Sequence, residues 1–348
     1  MNEQQPTLDE WGDLYDAAIR FKELKCWDLM EDSDVFGVVN PEDGEIGYCC
    51  VTGMLGEHFA LVVYQGTEGL EGYLRIRSGE HIPILDAMHI QRCLMASFEN
   101  KKRLSKEDRR IIKKLGLKFR GRGLWAQFRS HLPGYFPWHL TGYEARYLTL
   151  ALQQTIEVCQ RFGDDSGMLS PPGDAGDSYL VRVPVGAGDD SRWVDEWLEP
   201  ARVERDFAVE PVDEKRLIQV KRSARMSGDV WEVDMFHTPS AMQETVGERP
   251  YCPHIVVVTN HRSGEILHHY VAEPPEYMPE LQEQVLGVIE RMKSRPKEIM
   301  VRREEVFRLL EPITTGMGID LEMTGDLLVI DMIQQSMLEH FETQQMTR

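Results

Sequence analysis

The first third of the chain shows a pattern of apolar and polar positions that predicts a helix followed by strands. In residues 8–24 the apolar side chains recur at helical spacing, which predicts an amphipathic helix. Strands are predicted at residues 35–39, 46–52 and 58–65, because these segments are rich in Val, Phe, Tyr and Ile and are separated by Gly or Asn-Pro. This order is typical of an α/β unit.

Capping signals mark two helices further along. Ser105 followed by acidic residues predicts a helix start, because the hydroxyl accepts from free amides and acids suit the positive helix end. That helix would stop at Gly116, and residues 117–120 are predicted to be a short strand. Thr141 and Glu144 have the spacing of a capping box, which predicts a long helix over 142–162.

The last hundred residues alternate strand and helix patterns. The predicted elements are strands at 255–259 and 266–271, a helix at 279–294, a strand at 298–302, a helix at 304–316, a strand at 319–323 and a helix at 326–343.

The region between these parts predicts a linker and a small β-rich connector. Residues 163–177 are Gly, Pro, Asp and Ser without periodicity. Four strands are then predicted, with the sequences SYLVRVPV, RWVDEWLE, RLIQVKR and DVWEVDMF. We therefore expect an N-terminal α/β domain over 1–162, a linker over 163–177, a connector over 178–249 and a C-terminal domain over 250–348.

One hairpin occurs twice in the sequence. Residues 35–51 and 255–271 align without a gap and share Asn40 with Asn260 and, in the same register, a Gly-Glu-Ile run. The repeat predicts an α/β protein with mixed sheets, built from two related halves joined by the connector.

The chain is acidic as a whole but contains one strongly basic segment. The net charge of −19 over 348 residues opposes contact with nucleic acid or anionic lipid. Residues 101–122, however, carry 11 Lys or Arg against 2 acids. This segment is either a solvated helix face paired with acidic neighbours or a polyanion site that extends into the aromatic stretch after it. The candidate binding residues are Lys101, Arg109, Lys113, Arg129, Tyr135 and Trp138.

The order of hairpin, helix, strand, helix, strand and final helix resembles the RNase H-like fold in both halves. The chain also resembles an uncharacterised bacterial family of unknown function, through PGYFPWHLT at 133–141 and the run from Arg295 to Met323. Active RNase H-like enzymes hold divalent metal ions with carboxylates, the first of them on the first strand. The matching positions are Asn40 and Asn260, which are neutral, and Arg302-Arg303 follow a later strand. The resemblance therefore implies a degenerate scaffold.

Other chemistry has little support in the sequence. His254, His261, His268 and His269 are clustered in sequence but are not expected to converge on a metal, since adjacent strand residues point to opposite faces. Nucleotide-binding and hydrolase motifs are absent, and we expect no cofactor. The six cysteines lack a CxxC pair, and no run is apolar enough for a membrane span, so we expect a reducing cytoplasm and no membrane contact.

The main hypothesis is a non-catalytic cytoplasmic binding protein, with a protein or a small molecule as its partner. The alternatives are a nucleic-acid-binding or metal-dependent nucleic-acid-processing protein, for which 101–131 would be the contact region, and a small-molecule enzyme with an interdomain pocket.

Overall fold

The chain forms two units, each with its own sheet. The computed structural model describes residues 4–79, 82–87, 89–121, 123–173, 176–186, 192–202, 212–245, 247–272 and 277–346. The first unit holds the described residues of 4–79, 90–133 and 137–202, and the second holds those of 82–89, 134–136 and 212–346. No helix in the described part of the chain is long and apolar enough to cross a membrane.

The first unit begins with the predicted amphipathic helix. Its elements are α1 (Leu8–Leu24), β1 (Phe36–Val39), β2 (Ile46–Thr52), β3 (Ala60–Gln65), α2 (Gly66–Arg77), β4 (Cys93–Glu99), α4 (Lys106–Lys114), β5 (Trp125–His131), α5 (Gly142–Asp164), β6 (Tyr179–Val185) and β7 (Arg192–Leu198). The capping box predicted at Thr141 is present, and the helix start predicted at Ser105 also has a capping box.

The seven strands of the first unit form one sheet in the order β5-β4-β3-β2-β1-β6-β7. All neighbours are antiparallel except β1 and β6, which are parallel. Helices α1 and α5 bury their apolar stripes together with one face of this sheet, which makes the larger core of the unit. All six cysteine side chains of the protein are buried.

The second unit includes a short helix, α3 (Ile84–Ala87), that the chain contributes before β4. Its other elements are α6 (Glu214–Ser223), β8 (Arg225–Met226), β9 (Val230–His237), β10 (His254–Asn260), β11 (Ile266–Ala272), α7 (Tyr277–Met292), β12 (Ser294–Arg295), β13 (Glu298–Val301), α8 (Glu304–Met317), β14 (Asp320–Met323) and α9 (Leu328–Met346).

The main sheet of the second unit has the order β11-β10-β9-β13-β14. Strands β9, β10 and β11 form an antiparallel meander, and β13 pairs in parallel with both β9 and β14. Helices α6, α7 and α8 cover one face, where Trp231 and Val233 are buried. A smaller apolar cluster, with Leu85 of α3, Phe236 of β9 and Ile330 of α9, covers the other face.

The repeated hairpin folds the same way in both units. In each copy the Asn N–H donates to the Glu carbonyl five residues on, for Asn40 with Glu45 and Asn260 with Glu265, and each Asn carbonyl accepts from the Gly N–H. The Gly of each turn has a positive φ, a conformation that costs Gly least.

The two sheets nevertheless differ. The hairpin is β1–β2 of the first sheet, whereas it is β10–β11 of the second, where β9 precedes it. In the first unit the next strands add to the meander, whereas in the second β13 and β14 add in parallel beside β9. The mixed α/β class is therefore confirmed, and the similarity of the halves is one of element order rather than of strand pairing.

The structure divides the middle of the chain differently from the predicted connector over 178–249. Strands β6 and β7 belong to the first sheet, and β9 is the central strand of the second. The strand prediction for RLIQVKR was wrong, because these residues lie in α6. Residues 117–120 are not a strand, and β5 was missed. Predictions for residues 174–175, 187–191, 203–211 and 246 lie outside the described residues.

We expect Gly47→Ala to lower the free energy of unfolding by about 1–3 kcal/mol, the usual cost of overpacking. A Cβ at Gly47 would lie 2.2 Å from the Tyr147 hydroxyl and 2.6 Å from Val63. Urea unfolding measures the change. Gly287→Ala is the control, since nothing lies within 4 Å of its Cβ and Ala is the better helix former. Equal stability of Gly47→Ala and wild type would contradict this packing.

Candidate functional site

Two acidic residues occupy the centre of β9. Glu232 and Asp234 alternate with Trp231, Val233 and Met235, which point into the apolar core on the opposite face. Both carboxylates are 0% exposed. Because β9 lies between β10 and β13, the two acids sit in the middle of the sheet and need partners within the fold.

Two arginines that follow β13 supply partners for Asp234. Arg303 Nε donates to Asp234 Oδ1 at 2.8 Å. Arg302 Nε lies 2.9 Å from Asp234 Oδ2, but the angle does not make a hydrogen bond, so this contact is an ion pair only. The parallel pairing of β9 with β13 places the acid and the dipeptide side by side.

Each arginine also reaches a second carboxylate. Arg303 contacts Asp86 of α3, and Arg302 contacts Asp331 of α9 at 2.6 Å. Burial disfavours the charge of Arg303, but Asp234 and Asp86 together raise its pKa above the usual range. Both guanidiniums are therefore fixed cations, each between two acids.

Glu232 is held by different donors. Its Oε2 accepts from the N–H groups of Val329 at 3.0 Å and Ile330 at 3.1 Å, in the first turn of α9. Its Oε1 lies 2.6 Å from His261 Nδ1. A carboxylate at a helix N-terminus satisfies free amides and suits the helix dipole, so Glu232 anchors α9 to the sheet.

We call Asp86, Glu232, Asp234, Arg302, Arg303 and Asp331 the charge centre. Its acids are matched by guanidiniums or by backbone amides, which leaves no vacant set of carboxylates for a cation. Among the described residues, no three His, Cys, Asp or Glu side chains are arranged to hold a metal ion.

Three histidine rings lie close together beside the charge centre. The ring centroids of His89 and His237 are 4.3 Å apart, and those of His237 and His254 are 3.9 Å apart. Burial, with a smaller contribution from the neighbouring His237, lowers the pKa of His89 to about 4 and that of His254 to about 3. His261 and His268 make other contacts, with Glu232 and Gln284, so the sequence cluster does not converge.

The two asparagines predicted at acid positions are turn residues. Asn260 Oδ1 accepts from two N–H groups of its own turn. Asn40 Oδ1 accepts from the Glu42 N–H, and its Nδ2 donates to the Tyr143 hydroxyl at 2.7 Å. The first strand of the main sheet of the second unit is β9, which carries Glu232 and Asp234.

The basic segment is an exposed surface of the first unit. We call eight of its exposed cations, those between residues 101 and 114, the basic face: they are Lys101, Lys102, Arg103, Lys106, Arg109, Arg110, Lys113 and Lys114. Arg103 pairs with Glu99, and Arg110 pairs with Glu107. Within the described residues the other members have no acidic partner. Arg122 lies outside the described residues.

The remaining predicted binding residues are Arg129, Tyr135 and Trp138. Arg129 is largely buried and donates through both Nη atoms to Asp108, the capping residue of α4. Tyr135 packs in the second unit, where the Arg249 guanidinium lies over its ring, whereas Trp138 belongs to the first unit. Arg109 and Lys113 are four residues apart on α4 and share one side of that helix, and Lys101 is exposed just before the helix.

Each unit also contains a cavity. A cavity of about 680 Å³ lies in the second unit, between α9 and the β10–β11 turn. A cavity of about 630 Å³ in the first unit is lined by polar groups that include Arg92 and Arg146. Each of these arginines is already paired with two glutamates.

Family comparisons divide the chain close to the boundary between the units. Residues 11–182 match the model of a domain of unknown function (DUF7309), and residues 216–338 match that of another (DUF6930). The chain matches two families of unknown function. The DUF6930 match begins in α6 and contains β9, which agrees with placing β9 in the second unit. No curated protein matches the chain.

Sequence reasoning missed the charge centre. It predicted DVWEVDMF as a strand, but nothing in that segment indicates that Glu232 and Asp234 are both buried. The available signal was the Arg302-Arg303 pair at the end of a predicted strand, because two adjacent cations there require acidic partners. Asp86 carried no signal, since it comes from a distant part of the sequence.

We expect the free energy of unfolding to fall as the pH drops from about 6.5 toward 4. Unfolded histidines take up protons near 6.5, whereas folded His89 and His254 do so only near 4 and 3, so acid favours the unfolded state. In this window the free energy of unfolding of His89→Asn, measured with urea, should change less with pH than that of the wild type, by up to about 1.4 kcal/mol per pH unit.

The control is His58→Asn, at an exposed loop position where Asn tolerates the positive φ. It should retain the wild-type slope. Parallel curves for wild type and His89→Asn would mean that His89 titrates equally in both states.

Proposed function

We propose that the protein is a non-catalytic binding protein whose second unit is an RNase H-like scaffold with its acid centre closed by arginines. The observation that carries the proposal is the position of Arg302 and Arg303. Their guanidiniums lie against Asp234, and Arg302 joins it to Asp331.

The order of elements in the second unit supports the scaffold. A three-stranded antiparallel meander is followed by helix, strand, helix, strand and helix, with β13 and β14 added in parallel beside the first strand. In an active RNase H-like enzyme, carboxylates on such strands hold divalent ions. Here Glu232 and Asp234 occupy the first strand, and Asp331 lies on the last helix.

Electrostatics explains why this arrangement opposes metal-dependent hydrolysis. A guanidinium stays protonated at any physiological pH, so Arg302 and Arg303 cannot release their acids by losing a proton. A divalent cation entering beside Asp234 would meet two fixed positive charges. Glu232 would in addition have to leave the α9 amides, at the cost of leaving them unsatisfied.

Both cavities support a binding role, because their volumes of about 680 and 630 Å³ lie in the range of small-molecule sites. Each is lined by residues of one unit, and neither contains the arginine pair of the charge centre. A protein is the other candidate partner. The test for metal-dependent cleavage applies whether the partner is a protein or a small molecule.

We expect the wild type to show no Mg²⁺- or Mn²⁺-dependent cleavage of DNA or RNA, and no rise in melting temperature with Mn²⁺. In Arg302→Gln, Asp234 and Asp331 lose one shared cation, so Mn²⁺ should raise the melting temperature of this variant. Gel assays of labelled oligonucleotides and thermal unfolding with and without metal measure these effects.

The matched control is Arg308→Gln on α8, which removes an exposed arginine of the same unit outside the charge centre. Mn²⁺ should leave the melting temperature of this control unchanged, as it does that of the wild type. Metal-dependent cleavage by the wild type that disappears in Asp331→Asn would overturn the proposal.

A further inference from the structure

Helix α4 has its cations on one side and its buried residues on the other. Lys106, Arg109, Arg110, Lys113 and Lys114 recur at helical spacing along one exposed side, over about 12 Å of helix. The opposite side buries Asp108, Ile111 and Ile112. Lys101 and Lys102 continue the basic face just before the helix.

The stability of α4 does not explain these cations. Lys113 and Lys114 suit the negative end of the helix, but Lys106 is its first residue, where the helix dipole disfavours a positive charge. Asp108, the acid that could balance the face, is buried and committed to Arg129. Neighbouring like charges repel one another, so the basic face costs folding free energy.

The chemistry of the face identifies the class of partner. In a chain of net charge −19, this local group of cations, six of which lack an acidic partner among the described residues, attracts an anionic partner. Membrane-binding helices insert exposed apolar side chains, but Ile111 and Ile112 of α4 are buried in the core of the unit. The basic face therefore presents positive charges but no exposed apolar side chains of α4 that could insert into a membrane. Such a surface suits the phosphate backbone of a nucleic acid.

We propose that the basic face of the first unit binds the nucleic-acid backbone without reading its sequence. Lys106, Arg109 and Lys113 form the row of phosphate contacts, with Lys101 and Lys102 extending it. Trp125 lies beneath Lys101, with 5.3 Å between the ammonium and the ring, and holds this cation beside the row. The proposal does not depend on the charge centre of the second unit.

Fluorescence anisotropy of the full-length protein with labelled single- and double-stranded DNA and RNA tests this inference. We expect micromolar binding at about 50 mM salt that weakens by about 10²–10³-fold at 200 mM, as for four to six phosphate contacts. Lys106→Glu/Arg109→Glu should lower the affinity at least tenfold and reduce the salt slope by about 2.

The matched control is Lys215→Glu/Arg222→Glu, which changes the net charge equally through exposed residues of α6, with Lys215 in the first turn as Lys106 is in α4. It should stay within about twofold of the wild type, because phosphate contacts act locally. An equal loss of affinity in both variants would show that binding depends only on net charge, and it would overturn the proposed site.

Two other outcomes would also overturn the inference. One is the absence of binding at low salt. The other is binding to vesicles that contain phosphatidylserine without binding to DNA or RNA. Neither result bears on the metal tests of the second unit, because the substituted residues lie outside the charge centre.

Discussion

The second unit depends on the compensation of one buried carboxylate. Asp234 is 0% exposed on the central strand of a five-stranded sheet, where no water can solvate its charge. Removing one partner from a buried ion pair typically costs about 3–5 kcal/mol, a large share of the stability of an ordinary domain. The acid on β9 therefore requires the arginines after β13, and the stability of the second unit depends on both being in place.

This constraint extends to parts of the chain that are distant in sequence. Arg303 ties α3 to the sheet through Asp86, and Arg302 ties α9 to it through Asp331. Glu232 holds the first turn of α9 from the same strand. Apolar packing of Leu85, Phe236 and Ile330 then covers these contacts and lowers the local dielectric, which strengthens each of them.

The sequence predicted most elements because they depend on local signals. The capping boxes at Ser105 and Thr141, and the Asn-to-Gly turns of the repeated hairpin, satisfy their hydrogen bonds within a few residues. Strand pairing depends on distant residues, so the same hairpin could be central in one sheet and lateral in the other. The segment RLIQVKR is short and contains two β-branched residues, as strands often do, but Leu217 and Val220 have the i, i+3 spacing of the helix that α6 forms.

The same limit explains which site residues could be predicted. The cations of the basic face are adjacent in sequence, and one helix brings Arg109 and Lys113 together. The charge centre needs strand pairing to bring Asp234 beside Arg303 and tertiary packing to add Asp86, and no local pattern encodes either step.

The two groups of cations consequently have opposite properties. Arg302 and Arg303 are paired with acids of their own unit, so their charges are not available to a ligand. The exposed cations of α4 lie on the side of the helix opposite the residues that pack in the core. Six of the eight members of the basic face have no acidic partner among the described residues. In a protein with 58 acids and 39 Lys or Arg, acidic partners are plentiful, so cations that remain unpaired are the ones available to an external anion.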